Sequence, residues 1–148
     1  MPNQQLNLSA FLPYQLSIAS NAVSDRIARQ YQVRFGLKIP EWRLMAVLGQ
    51  GTAMTQRDLV HATRMDKVTV SRASAALTDR GLVSRAASER DGRSHLLALT
   101  DAGQSLYEEI APVALAMERE LLACLSPDER TQLSSLLARL REAADQST

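Results

Sequence analysis

Residues 66–100 constrain this chain more than any other stretch, because a short helix there is followed at once by a two-stranded hairpin. Asp66 is a good N-cap. The helix runs from it through Val68-Thr69-Val70-Ser71-Arg72 to Arg80, and Gly81 stops it. Strands are expected over residues 82–87 and 94–99. The turn between them reads Ser88-Glu89-Arg90-Asp91-Gly92-Arg93, and Asp-Gly favours a tight hairpin. Upstream, Thr55 opens another short helix, capped by its hydroxyl while Asp58 reaches back three residues later. Thr63-Arg64-Met65 then turns the chain into Asp66. Two short helices joined by a tight turn and followed by a hairpin are the plan of a winged helix-turn-helix. That plan implies a nucleic-acid target rather than a catalytic centre.

The flanks are helical. Leu16, Ala19, Val23, Ile27 and Tyr31 fall at three- and four-residue steps. They predict one helix over about residues 9–35, roughly 40 Å long. Pro13 implies a break or a late start, and Gly36 ends it. Pro40 suits the first position of a second helix reaching Leu48, closed by Gly49-Gln50-Gly51. Thr100 caps a helix expected to reach about residue 125, with Leu106, Ile110, Val113, Met117, Leu121 and Cys124 on one stripe and a bend at Pro112. Ser126-Pro127-Asp128-Glu129 opens the last helix, which reaches about residue 144 and aligns Leu133, Leu136, Leu137 and Leu140. The terminal helices are more apolar than a monomer of this size requires. The expected fold is mainly α: a winged helix-turn-helix with a helical dimerisation domain formed by the N- and C-terminal helices. Residues 1–39 and 101–148 are the expected dimerisation segments, and residues 40–100 the DNA-binding core.

Net charge is only +1, but it is unevenly spread: +3 over residues 1–54, +3 over 55–100 and −5 over 101–148. A basic patch in the first two thirds is the electrostatic footprint of a DNA binder. No run of about 18 apolar residues marks a membrane span, and the N-terminus lacks the pattern of a signal peptide. The lone Cys124 cannot form an internal disulfide, so a cytoplasmic protein is expected. Cys124 should behave as a small buried hydrophobe. His61 and His95 are the only histidines, and no cysteine or carboxylate cluster has ligand spacing, so neither metal nor cofactor is expected.

In the helix opened by Asp66, Val70, Ala73 and Leu77 share the face that should pack inward. Val68, Arg72, Ala75 and Asp79 lie opposite, flanked by Thr69 and Ser71. Arg72 is the first candidate for a base contact, because its fork can grip guanine bidentately. Thr69 and Ser71 can hydrogen-bond bases or phosphates, Val68 can meet a thymine methyl group, and Lys67 can reach a phosphate. Thr55, Gln56 and Arg57 stand at the start of the preceding helix, where backbone N–H groups bind phosphate. At the hairpin tip, one of Arg90 and Arg93 is expected to enter the minor groove, the other to pair with Asp91.

These residues resemble the MarR family of bacterial transcription regulators. The wing motif corresponds to Asp91-Gly92-Arg93, then Leu97-Ala98-Leu99-Thr100 and Asp101-Ala102-Gly103. The recognition-helix motif corresponds to Val68-Thr69-Val70-Ser71-Arg72, then Leu77 and Arg80-Gly81-Leu82-Val83. The likeness extends from the first helix to the last. It implies a homodimer, triangular in outline, on a near-palindromic operator of double-stranded DNA, usually as a repressor. In many members a small aromatic or phenolic effector releases the DNA. Arg93 matches the motif arginine, which points to Arg90 as the groove inserter in this chain. A ligand pocket would draw on Tyr14, Ser17, Asn21, Trp42, Arg43 and Met45. Trp42 beside Arg43 suits an aromatic carboxylate or a coenzyme A thioester, while the plainer reading makes Trp42 core and Arg43 a helix contact. Two other functions compete. An enzyme fragment is disfavoured by the lack of a Gly-rich nucleotide loop. A winged-helix protein-interaction module without specific DNA binding would carry acidic or apolar groups in place of Lys67, Thr69, Ser71 and Arg72.

Overall fold

The computed structural model describes residues 4–88 and 94–146. Six helices and one hairpin follow in order: α1 (Leu12–Phe35), α2 (Ile39–Leu48), α3 (Gln56–Thr63), α4 (Lys67–Asp79), β1 (Val83–Ala87), β2 (His95–Leu99), α5 (Asp101–Leu121) and α6 (Pro127–Gln146). Single 3-10 turns precede α1 and follow α5. Pro13 lies in the first turn of α1, so the helix starts late rather than breaking. Gly36 ends it in the left-handed conformation at φ 64°, which costs glycine little. α5 continues through Pro112. None of the described helices is long and apolar enough to cross a membrane.

The chain divides into two compact units, Met1–Ile110 and Ala111–Thr148. The first holds the core, in which Leu44 and Met45 of α2, Leu59 of α3, Val70 and Leu77 of α4, Leu97 of β2 and Ile110 of α5 are all buried. The hairpin is antiparallel, pairing Val83 with Leu99, Arg85 with Leu97 and Ala87 with His95. Met54 joins it as a third edge, exchanging backbone hydrogen bonds with Leu97 at 3.0 and 2.7 Å. In the second unit no residue of α6 is buried, and Leu133, Leu136, Leu137 and Leu140 all face outward. Cys124 is exposed rather than buried. α5 ends at Leu121, so Cys124 falls in a 3-10 turn and leaves the apolar stripe, its Sγ 3.6 Å from the Leu121 carbonyl.

Candidate nucleic-acid interface

Local caps set the two helices of the helix-turn-helix. Thr55 Oγ1 accepts from the Asp58 N–H at 3.1 Å, and Asp58 Oδ2 accepts from the Thr55 N–H at 3.1 Å. The capping box therefore forms as its spacing demands. α3 ends at Arg64, a left-handed residue at φ 59° that turns the chain sharply toward Asp66. Asp66 Oδ1 accepts from the Thr69 N–H and Oδ2 from the Thr69 hydroxyl, both at 2.8 Å. These bonds, first the backbone N–H and then the hydroxyl, hold the Asp66 carboxyl below its ordinary value. A carboxylate with a lowered folded pKa stabilises above its unfolded pKa, and that help is lost as pH falls through the folded value. The start of α4 is therefore expected to loosen below about pH 4, seen as faster amide exchange at Thr69. Asp66→Asn, which keeps an acceptor, should remove the acid dependence, and unchanged dependence in that variant would refute the assignment.

α4 buries Val70, Ala73, Ser74 and Leu77 on one face. Lys67, Val68, Ser71 and Arg72 stand exposed on the rest, and Thr69 is half-buried against its cap. Gln56 Nε2 donates to the buried Ser74 Oγ at 3.4 Å, so this side chain ties α3 to α4. Arg57 is exposed and Thr55 half-buried. Arg90 and Arg93, with Asp91 and Gly92, lie outside the described residues. At the far end of α4, Arg80 Nη1 and Nη2 donate to the carbonyls of Gly36 and Phe35, each at 3.2 Å. A guanidinium here satisfies the free carbonyls at the end of α1 and complements its dipole. Sequence reading missed it, because 44 residues separate donor and acceptor.

The ligand candidates are divided between α1, which carries Tyr14, Ser17 and Asn21, and α2, which carries Trp42, Arg43 and Met45. Trp42 is half-buried, 5.1 Å from the Tyr31 ring and stacked on Tyr107 at 6.1 Å. Gln50 Nε2 donates to the Tyr107 hydroxyl at 3.3 Å. Arg43 is exposed beside Trp42, whereas Met45 has no exposed surface and belongs to the core. Tyr14, Ser17 and Asn21 are exposed near the other end of α1. Tyr14 lies roughly 25 Å along the helix from Tyr31, at 1.5 Å per residue. Neither Tyr31 nor Tyr107 was nominated from sequence. In the sequence Tyr31 is one step of an apolar stripe, and no local signal marks Tyr107.

A helix-turn-helix with its second helix half exposed, backed by a hairpin, defines a winged-helix DNA-binding protein. The model of the MarR family matches residues 35–94. The chain is 30% identical over 128 residues to the HTH-type transcriptional regulator YdgJ of Bacillus subtilis, covering 86% of this chain and 76% of the relative. A MarR/EmrR family regulator from Acinetobacter superposes with a TM-score of 0.87 at 28% identity, covering 95% of this chain and 99% of the other. BpsR of Bordetella bronchiseptica, whose DNA binding is regulated by 6-hydroxynicotinic acid, superposes at 0.74 with 25% identity, covering 86% and 98%. The chain belongs to the MarR family of DNA-binding transcription regulators.

Proposed function

We propose that the chain works in the cytoplasm as a homodimeric repressor of transcription, not as a catalyst, released from a near-palindromic operator by a small aromatic effector. The exposed face of α4 carries this reading: Lys67, Val68, Ser71 and Arg72 stand free while Val70, Ala73 and Leu77 fill the core. Lys67 and the backbone at the starts of α3 and α4 take phosphates, Arg72 takes a base, and one wing arginine enters the minor groove. Dimerisation is supported by apolar surface that each unit leaves uncovered: Leu8, Phe11, Leu12 and Leu16 in the first, and the α6 leucines in the second. Large exposed apolar patches mark interaction surfaces.

The effector reading rests on Trp42 and Tyr107, a stacked aromatic pair, on the exposed Arg43 that follows Trp42 in sequence, and on the aromatic acid that regulates BpsR. A flat wall and a guanidinium suit an aromatic carboxylate or an acyl thioester of coenzyme A. A mobility shift on the upstream intergenic DNA, with a panel of aromatic acids and their coenzyme A thioesters, tests it. Specific binding released by one compound is expected. The same compound should alter the emission of Trp42, the only tryptophan. A folded dimer without specific binding at low salt would instead favour a protein-interaction module, and a monomer at micromolar concentration would remove the palindromic operator.

A further inference from the structure

A cleft of about 360 Å³ separates the hairpin from the starts of α3 and α4. Each of four elements sends one basic side chain to its lining: Arg57 from α3, Lys67 from α4, Arg85 from β1 and His95 from β2. Strand register explains the last two. Arg85 pairs with Leu97 and Ala87 with His95, so Arg85 and His95 are diagonal neighbours on one face of the ribbon, about 7–8 Å apart. The inner end of that face, Val83 and Leu97, is buried, and its outer end, Arg85 and His95, is exposed. No carboxylate among the described residues lines the cleft. Of the described acids next to it in sequence, Asp58 accepts from the Thr55 N–H, and both oxygens of Asp66 accept from Thr69. Three fixed positive charges and an imidazole thus share a concave space that no anionic side chain among the described residues lines. Like charges held together raise the local potential and favour an anion between them.

We propose that this cleft takes a backbone phosphodiester of bound DNA, and that protonation of His95 strengthens the grip, so that operator affinity rises as pH falls. The inference rests on the DNA-binding reading above and adds the hairpin strands, not only their tip, to the contact surface. Lys67 links the cleft to the exposed face of α4, so a duplex strand bordering that helix passes the cleft mouth. Linkage gives the sign. A phosphate beside an imidazole favours its protonated form, so DNA and proton each promote binding of the other.

Fluorescence anisotropy on an operator duplex at constant ionic strength, between about pH 8 and about pH 5.5, tests the proposal across the range in which histidines titrate. Wild type should gain several-fold in affinity toward the acid end. His95→Ala should abolish the gain, and His61→Ala, with the other histidine on α3, should keep it. Arg85→Ala should lower the slope of log K against log salt by about one. All three altered residues are exposed, and the thermal transition checks folding. A gain that survives His95→Ala, or an unchanged salt slope in Arg85→Ala, overturns the proposal. So does a saturable shift of the His95 imidazole protons with inorganic phosphate that operator DNA does not reverse, which would make the cleft a free-phosphate site. Duplex binding indifferent to pH defeats only this inference, whereas no duplex binding at any pH defeats the DNA-binding reading itself.

Discussion

Arg72→Ala is expected to weaken operator binding by about 1–3 kcal/mol per half-site, a loss of roughly 5- to 150-fold. The position follows from helix geometry. Val70, Ala73 and Leu77 anchor α4 in the core, and Arg72 is two residues beyond Val70, on the open side of the helix. Alanine suits a helix interior, so the fold should be unaffected. A guanidinium bidentate to guanine reads one base pair, and its loss should relax specificity at one position per half-site while leaving discrimination elsewhere. Arg72→Lys separates charge from geometry, since an ammonium keeps a phosphate contact but lacks the fork. Binding measured on the operator and on single-base variants decides between the roles. An equal loss on every sequence would reduce Arg72 to a phosphate contact.

Gly103→Ala should cost about 3 kcal/mol, at the upper end of ordinary overpacking. That corresponds to a fall of roughly 6–12 °C in the thermal midpoint. Gly103 is buried in the first turn of α5, where its N–H donates to Thr100 Oγ1 at 3.0 Å. A Cβ there would overlap the backbone carbonyl of Leu82 and meet Leu99 Cδ2 at 3.2 Å. Leu82 cannot withdraw easily. Its N–H donates to the Leu77 carbonyl at 3.0 Å, and its carbonyl accepts from the Thr100 N–H at 3.0 Å. The Thr100 hydroxyl also donates to the Gly81 carbonyl at 2.7 Å. The junction of α4, the hairpin and α5 is therefore a backbone-to-backbone contact that only glycine permits. Thermal unfolding followed by circular dichroism checks this, and a midpoint within about 2 °C of wild type would mean that the junction yields.

Helix starts were legible in the sequence because capping is local. Thr55 with Asp58, Asp66 with Thr69, Thr100 with Gly103, and Ser126 with Glu129 all form hydrogen bonds across three residues. Glu129 accepts from the Ser126 N–H at 2.8 Å, which lowers its carboxyl pKa just as Asp66 is lowered. The inward face of α4 was equally legible from its spacing, although Ser74 joined it unannounced. A serine reads as polar until Gln56, from another helix, supplies its partner.

Contacts between distant parts of the chain carry no such local signal. Met54 belongs to the hairpin through one residue, too short for an alternating pattern. The stacking of Trp42 on Tyr107 and the hold of Arg80 on the end of α1 join segments more than 40 residues apart. Arg85 and His95 looked like ordinary strand residues until register placed them on one face, opposite Arg57 and Lys67. The chain alone determined the order of its helices, their caps, the face of α4 that packs inward and the family these motifs mark, because those properties reside in residues a few positions apart. Tertiary structure decided which cations share a cleft, which carbonyls a guanidinium reaches and why Gly103 must be glycine, because each depends on where one backbone passes another.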